Sequence, residues 1–345
     1  MLAGSVRSAE APLYAEHARL AAQSLLIAIA AAGERLVAVG DRGVIVLSDD
    51  RGASWVQAEE VPTQALLTGV CFLDAQHGIA VGHDEVILTS ADGGRHWQRT
   101  HYAPEAQRPL LDVWCGNQGH AIAVGAYSAY LTTADAGASW QAVRFAPAPP
   151  PKAVAPPSGG ERGTAHRGPA ATDEKGPDEA AGGGFHLNRI VSGGGARLYI
   201  AGEAGHLYAS DDGGNSWRTL PSPYEGSFFG VLPLEGDALL AFGLRGNLYH
   251  SVDGGSSWQR IDTATVAMLN GAARFAAAGV AIVGLSGVTL VSHDGGHSFT
   301  LLQQADRAGL SGVLSVSDER LAVVGENGAK VVSLTGSAAS AGAGR

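Results

Sequence analysis

Short apolar runs alternate with polar, glycine-rich turns along most of the chain. In the stretch 67–101, apolar runs cover 67–72, 78–82 and 86–89, and a fourth short run begins near Trp97. Runs of this length, bounded by Gly, Asp and Ser, are typical of β-strands joined by tight turns. The pattern therefore predicts a unit of four strands that recurs along the chain.

The second strand of the unit recurs with little change and ends in glycine. Its seven copies are 36–40, 79–82, 122–125, 199–202, 240–243, 282–284 and 323–325. A repeat of about 42 residues that holds four short strands is the signature of a β-propeller. The sequence therefore predicts an all-β fold, a seven-bladed β-propeller of four-stranded antiparallel blades.

Six polar segments after the third strand share the pattern Ser/Thr-x-Asp-x-Gly-x-x-Trp/Phe. Their aspartates are Asp50, Asp92, Asp135, Asp212, Asp253 and Asp294, and their aromatic residues are Trp55, Trp97, Trp140, Trp217, Trp258 and Phe299. Asp and Ser oxygens bond to backbone N–H groups of a turn, Gly adopts positive φ, and a large aromatic ring must be buried. We interpret these segments as structural turns, known as Asp boxes or BNR repeats. They lack the alternating carboxylates and late glutamate of a calcium loop.

The ends of the chain bear on how the ring closes. The seventh unit, 310–334, has only three predicted strands, and an open sheet edge invites aggregation. We therefore expect residues 12–22, within an N-terminal segment 1–23, to supply the outer strand of the last blade. The apolar stretch 20–32 resembles the core of a secretory signal peptide, but the repeat register favours a first strand over 24–29. The propeller then spans 24–334.

One interval between boxes is longer than the others. Successive box aspartates lie 42, 43, 77, 41 and 41 residues apart. The excess falls at 145–184, which is rich in Pro, Ala and Gly and almost free of aromatic and branched apolar residues. Such a segment cannot bury a core. We predict a disordered insertion between blades three and four, and a disordered tail at 335–345.

Composition and charge narrow the possible partners. The formal net charge is −10, which argues against a nucleic-acid partner. No apolar run reaches 18 residues, so direct insertion into a membrane is not expected. In the repeat alignment, Cys71 is equivalent to Trp114 and Cys115 to Phe72. Successive residues of a strand face opposite sides, so the two sulfurs are expected to point apart. Two free thiols are the favoured interpretation, and a disulfide is the alternative.

With six Asp boxes and seven units, the chain resembles the photosystem II stability/assembly factor family. The matching residues are the six box aspartates and the Ala-Val-Gly strands, and the resemblance covers 24–334 apart from the insertion. It implies a non-enzymatic scaffold without cofactors, monomeric by itself, that binds a membrane protein or its exposed polypeptide segment. It also implies an extracytoplasmic compartment, the periplasm in a bacterial relative. The chain lacks the dense arginine cluster that photosynthetic members use for binding.

Asp boxes also occur in sialidases and other glycosidases, which gives an alternative function. A sialidase needs an arginine cluster for the substrate carboxylate, a Tyr–Glu nucleophile pair and an acidic Asp. The Phe-Arg-Ile-Pro signature of that family is missing from the sequence. We therefore predict no catalytic residues and no metal site, with a sialidase-like glycosidase or a carbohydrate-binding propeller as the alternative.

The turns between the second and third strands carry a mixture of charge and aromatic character that a hairpin does not require. In a four-stranded blade these turns emerge on the face opposite the Asp boxes, around one mouth of the central channel. Binding residues are often found on loops that a rigid scaffold holds in place. We predict that these turns contact the partner through Asp41, Arg42, His83, Asp84, Glu85, Tyr127, Glu203, Arg245 and Glu326.

Overall fold

Seven antiparallel sheets, the blades of a β-propeller, form the fold in a computed structural model that describes residues 11–150 and 184–334. The first blade contains β1 (Leu26–Ala32), β2 (Arg35–Gly40), β3 (Ile45–Ser48) and β4 (Val56–Gln57). The second contains β5 (Leu67–Phe72), β6 (Gly78–Gly82), β7 (Ile87–Ser90) and β8 (Gln98–His101). The third contains β9 (Leu110–Cys115), β10 (Ala121–Gly125), β11 (Tyr130–Thr133) and β12 (Gln141–Ala142).

The remaining blades follow in the same order. The fourth contains β13 (Leu187–Gly194), β14 (Arg197–Gly202), β15 (Leu207–Ser210) and β16 (Arg218–Thr219). The fifth contains β17 (Phe228–Pro233), β18 (Leu239–Gly243), β19 (Leu248–Ser251) and β20 (Gln259–Ile261). The sixth contains β21 (Leu269–Phe275), β22 (Gly279–Gly284), β23 (Val288–Ser292) and β24 (Thr300–Gln303). The seventh contains β25 (Leu310–Ser317), β26 (Arg320–Gly325) and β27 (Gly328–Ser333). The predicted seven-bladed propeller is confirmed.

The hydrophobic core of the described chain lies in seven clusters, each between two neighbouring blades. Alternate residues of a strand point to opposite faces of its sheet, so each blade contributes to two clusters. Val37 and Val39 of β2 pack toward the second blade, while Ala38 packs toward the seventh. Because both faces are covered, a second strand such as β6 is apolar and buried along its whole length.

Glycine ends the second strand of each blade because the backbone entering the first strand lies directly against it. A Cβ atom at Gly82 would collide with the carbonyl oxygen of Leu66, and one at Gly325 with that of Gly309. The φ of Gly82 is −170°, an extended conformation open to any residue, so the requirement is one of space. This close approach accounts for the Val-Gly ending seen in the sequence.

Hydrogen bonds from the first strands join neighbouring blades beside the central channel. The side chain at the second position of the first strand donates to the backbone carbonyl of the next blade. The four bonds are Thr68 Oγ1 to Leu110 O (2.7 Å), Asn188 Nδ2 to Phe228 O (2.8 Å), Asn270 Nδ2 to Leu310 O (2.8 Å) and Ser311 Oγ to Leu26 O (3.1 Å). The last of these bonds crosses the seam between the seventh blade and the first.

The expectation that residues 12–22 close the ring as a strand of the last blade is wrong. Residues 11–20 form no strand and lie along the first blade, where Ala15 N donates to Val61 O (2.9 Å) and Ala18 N to the side chain of Gln57 (2.9 Å). The seventh sheet has three strands among the described residues. Packing of β25 against β1 closes the ring instead. The apolar stretch near residue 26 forms β1, the inner strand of the first blade.

Cys71 and Cys115 form a disulfide with a Cα–Cα distance of 5.7 Å, so the prediction of free thiols is wrong. That prediction applied to the two cysteines the rule that side chains on opposite faces of one sheet point apart. The cysteines belong to neighbouring sheets that pack face to face, and an offset of one position in the repeat puts each sulfur on the face that meets the other blade. Phe72 and Trp114 consequently point away, toward the first and fourth blades.

The Asp boxes are turns held by a repeated set of hydrogen bonds. In the first box, Ser48 Oγ donates to Asp50 Oδ1 (2.8 Å) and accepts from Gly52 N (2.8 Å). Ser54 adds two bonds to the same carboxylate, from its N–H (2.8 Å) and its hydroxyl (2.6 Å). The aromatic residue that follows packs against the preceding blade, as Trp97 does against the first.

Two features outside residues 11–150 and 184–334 remain predictions. The expected disorder of 145–184 fails for 145–150, because Phe145 packs against the rings of Tyr130, Tyr208 and Trp217. The rest of the expected insertion, 151–183, and the expected tail, 335–345, lie outside the described residues. The described ends of the insertion are separated. Ala148 pairs in parallel with Arg218 on the outer strand of the fourth blade, whereas Phe185 O accepts from Ser128 N in the third (3.0 Å).

Replacing both cysteines with serine (Cys71→Ser with Cys115→Ser) should destabilise the fold by about 2–4 kcal/mol, because the bridge that closes a 44-residue separation is lost. Urea denaturation measures the free energy of unfolding. Wild-type protein unfolded in a reducing agent is the control and should match the double variant. Equal stability of the oxidised wild type and the double variant would show that the bridge contributes nothing.

The box carboxylates should make stability depend on acid pH. Hydrogen bonds from Ser54 and Ser48 lower the pKa of Asp50 from its usual 3.8 to about 2. A group whose pKa falls on folding stabilises the fold above its unfolded pKa, and this stabilisation is lost as the pH falls toward 2. We expect Asp50→Asn to lower the melting temperature at pH 7 and to flatten its decline between about pH 4 and 2. The control, Asp318→Asn on an exposed turn, should keep the wild-type decline.

Candidate partner-binding face

The turns between second and third strands lie on one face of the propeller, which we call the turn face. Each turn bonds to the residue that leads into the first strand of its blade, as His83 N does to Leu66 O and Ala126 N to Pro109 O (both 2.9 Å). The Asp boxes bond instead to the connection between first and second strands, as Gly93 N does to Gln76 O (2.9 Å). They occupy the opposite face, the box face.

Several turns on the turn face hold a large side chain in a backbone conformation that favours glycine or asparagine. The φ angles are 50° at Arg42, 54° at Tyr127 and 57° at Arg245. Left-handed backbone at such residues costs free energy of about 1–3 kcal/mol each and is found disproportionately at functional sites. Arg42 and Tyr127 project outward: the Arg42 side chain is 85% exposed and Tyr127 is 51% exposed.

Two grooves flank the N-terminal segment where it crosses the first and second blades. One, of about 410 Å³, is lined by Glu16, Leu20, Asp41 and Arg42 among others. The other, of about 440 Å³, has a lining that includes Leu13, Asp84, Arg99 and Tyr102. The Arg99 guanidinium lies 4.3 Å from the centre of the Tyr102 ring. The predicted residues Asp41, Arg42 and Asp84 therefore line grooves that combine apolar and charged surface.

An aromatic patch lies where the third and fourth blades meet on the turn face. Phe185 stacks on His206 with ring centres 4.0 Å apart, and Tyr127 meets His186 edge to face at 5.0 Å. The Glu203 carboxylate accepts from His186 N (3.2 Å). The structure thus brings the predicted Tyr127 and Glu203 together with Phe185, His186 and His206, which we did not predict. The one feature of the sequence that could have pointed to them is a cluster of aromatic and His residues directly after the insertion.

Glu85 does not have the exposure that its prediction as a partner contact requires. Its side chain is 3% exposed, and Oε1 lies 2.9 Å from an Arg108 nitrogen and Oε2 3.9 Å from His101 Nε2. The glutamate braces the turn from inside, whereas His83 and Asp84 beside it are exposed. Glu326 also bonds within the chain, since its carboxylate accepts from Gly309 N (2.8 Å), although the residue itself is exposed.

The described residues hold no cluster that suggests catalysis by a metal, and no long helix. In 11–150 and 184–334, no three His, Cys, Asp or Glu side chains converge in a set that could hold a metal ion. Within the same ranges, none of the helical turns is long and apolar enough to cross a membrane. The chemistry that the turn face offers is charge, hydrogen bonding and aromatic surface.

Fold and boxes together define a seven-bladed Asp-box propeller. Residues 47–156 match the family model described as photosynthesis system II assembly factor YCF48. No curated protein matches the chain by sequence. The match confirms, over this third of the chain, the family resemblance expected from the boxes: the chain is similar to the photosystem II assembly factor propellers.

Solved structures agree on the fold. "YCF48 bound to D1 peptide" has a TM-score of 0.66 at 17% identity, covering 94% of this chain and 97% of that one. YCF48 from Cyanidioschyzon merolae has a TM-score of 0.66 at 15% identity, covering 93% and 98%. The WD40 propeller domain of Doa1 scores 0.63 at 11% identity, covering 93% and 95%. Since a WD40 domain scores almost as high, these likenesses support the propeller fold alone.

Glu85→Gln should lower the free energy of unfolding by about 1–3 kcal/mol, because it removes a buried charge that pairs with Arg108. Asp84→Asn, at the adjacent exposed position, should change it by less than about 0.5 kcal/mol. Asn tolerates the left-handed φ of 62° at that position. Chemical denaturation of both variants compares the two effects. The assignment of Glu85 as a structural brace fails if the two variants are equally stable.

Proposed function

We propose that this protein is a non-enzymatic scaffold whose turn face binds an exposed polypeptide segment of a membrane protein. The observation that carries the proposal is the match of residues 47–156 to the YCF48 assembly-factor model. This stretch includes the turns His83–Glu85 and Ala126–Ser128, hence the exposed residues His83, Asp84 and Tyr127. The YCF48 structure that resembles this chain is bound to a peptide, D1.

The geometry of the turn face suits an extended peptide. The grooves beside Arg42 and Asp84 and the aromatic patch around Tyr127 lie on the turn face of three successive blades. Apolar side chains of a peptide would enter the grooves or pack on the exposed rings, and Arg42 and Arg245 would pair with its carboxylates. Contacts spread over several rigid turns give specificity at a low cost in loop ordering.

A sialidase-like activity has weaker support. Such an enzyme needs carboxylates and arginines arranged around a substrate in the central channel. A cavity of about 90 Å³ lies beside the first strands of the first and the fourth to seventh blades, and Arg189 on its wall pairs with Asp112 at 3.8 Å. Asp112 is buried, which raises its pKa, and it accepts from Ile190 N (3.0 Å). This pair joins the third and fourth blades, so its evident role is structural.

We also propose an extracytoplasmic location, the periplasm in a bacterial host. The support is the Cys71–Cys115 disulfide, since disulfides persist in oxidising compartments and are rare in the cytosol. The bridge lies within the core cluster between the second and third blades. This location would place the turn face on the side of the membrane where periplasmic loops of membrane proteins are exposed.

Site-specific photo-crosslinking tests the proposed face. A photoreactive amino acid at Tyr127 or Tyr102 should crosslink to a membrane protein in envelope extracts of the host, identified by mass spectrometry. The matched control is Val252, which is 67% exposed in an Asp box on the opposite face. Crosslinks to a membrane protein only from Val252 would overturn the assignment of the face, and crosslinks only to soluble enzymes would overturn the function.

Charge reversal tests the electrostatic contacts once that partner is identified. Arg42→Glu and Arg245→Glu should each weaken binding by roughly three- to tenfold at low salt, and the loss should shrink as ionic strength rises. Binding is measured by surface plasmon resonance, and stability by thermal unfolding, which should not change. The control is Arg51→Glu in the first Asp box, whose side chain is 69% exposed. If all three variants lost affinity equally, the effect would come from the net charge of the protein and not from contacts on the turn face.

A further inference from the structure

Two histidines face each other on the box face, at the junction of the fifth and sixth blades. His250 lies in β19, and His297 lies in the Asp box of the sixth blade. Their rings are perpendicular, with centres 4.7 Å apart. Neither histidine is among the residues that the sequence predicted to bind a partner.

The repeat itself requires neither histidine. His250 directly precedes the box serine, and the residues at this position in five other blades are Leu47, Thr89, Thr132, Ala209 and Val291. His297 directly follows the second box glycine position, and the corresponding residues of the other boxes are Ala53, Arg95, Ala138, Asn215 and Ser256. At each position, the other five of the six box-bearing blades fold with a different residue. The two departures occur at a single junction and meet there.

The environment of His250 is unusual for a histidine with only a packing role. The residue is 5% exposed, and its Nε2 is buried without a hydrogen-bond partner. An unpaired buried polar atom costs free energy of about 1–3 kcal/mol. A cavity of about 210 Å³ borders both imidazoles, and its lining includes Glu235 and Arg274, which lie 3.7 Å apart. The cavity is large enough for several water molecules beside the rings.

We propose that His250 and His297 together bind one divalent transition-metal ion of the class that favours imidazole, such as Cu²⁺, Ni²⁺ or Zn²⁺. With N–metal bonds of about 2.0–2.1 Å, two imidazoles on one ion have ring centres roughly 4.5–5.5 Å apart, and the observed distance falls in that range. His297 lies on an exposed loop and can turn its ring so that both nitrogens face the ion.

The chemistry of the cavity agrees with a site of two protein ligands. Imidazole prefers Cu²⁺, Ni²⁺ and Zn²⁺ over Mg²⁺ and Ca²⁺, and Cu²⁺ binds tightest in this series. Water in the cavity would complete the coordination, and Glu235 lines the same cavity and offers a carboxylate oxygen. Metal binding would also satisfy the orphaned nitrogen of His250. The described residues contain no third ligand already in place, so the affinity should be below that of a structural zinc site.

The test is Cu²⁺ binding by the full chain, measured by calorimetric titration and electron paramagnetic resonance. We expect one site whose spectrum shows coordination by two nitrogens, and a rise in the thermal unfolding midpoint with Cu²⁺. His297→Ser, the residue of the fifth box, and His250→Val, the residue of the sixth blade, should each weaken that site by roughly tenfold or more. They should also remove the rise in midpoint.

The matched control is His293→Val, which changes an exposed histidine of the same box to the residue that the fifth box carries, Val252. It should bind Cu²⁺ as the wild type does. Because His297 is exposed, His297→Ser leaves the fold intact and keeps the test decisive even if His250→Val disturbs packing. The proposal is overturned if His297→Ser retains the wild-type affinity and two-nitrogen spectrum, or if His293→Val loses them to the same extent.

Discussion

The face-to-face packing of neighbouring sheets is the interaction on which the rest of this structure depends. Each of the seven core clusters in the described chain is shared by two blades, and no blade has a core of its own. A single blade cannot bury its apolar faces by itself, so neighbouring blades must cover them. Stability therefore comes from the closed ring, in which each blade covers both of its neighbours.

The Asp box contributes to this packing between blades. Its hydrogen bonds hold a turn that delivers an aromatic ring to the preceding blade: Trp140 to the second, Trp217 to the third and Trp258 to the fourth. The junction between the sixth and seventh blades has no box aromatic, because the seventh unit carries no box. Leu302, Val332 and Leu334 pack there instead. Among the described residues, no strand is shared between the seventh and first blades. The ring closes there through packing of β25 on β1 and the bond from Ser311 to Leu26.

Because the Asp boxes occupy one face of the propeller and the short turns the other, the two faces have different roles. On the box face, side chains such as Asp50 and Ser54 are committed to bonds within their own turn. On the turn face, a short hairpin needs little from its side chains, so Arg42, Tyr127 and Arg245 are free to project even at the cost of left-handed backbone. A rigid ring that presents variable turns is well suited to binding a polypeptide, and it leaves the core unaffected by changes in those turns.

The sequence by itself determined the number of blades, the position of every second strand and the role of the boxes, because periodicity and turn chemistry are local properties. It also located the turns that form the candidate face. It did not determine which turn residues reach solvent: Glu85 and Asp84 are adjacent, yet Glu85 is buried against Arg108, which comes from the link to the next blade.

Only the tertiary structure decided the contacts between blades. Side chains on opposite faces of one sheet point apart, but the facing sides of two neighbouring sheets meet. Cys71 and Cys115 lie on such facing sides and therefore pair. The N-terminal segment follows the first blade because Gln57 and Gln64 bond to its backbone. His250 and His297 meet although 46 residues separate them in the chain. Each of these contacts depends on how one blade packs against another. A repeat pattern predicts the strands and turns within a blade, but not which side chains meet between neighbouring blades.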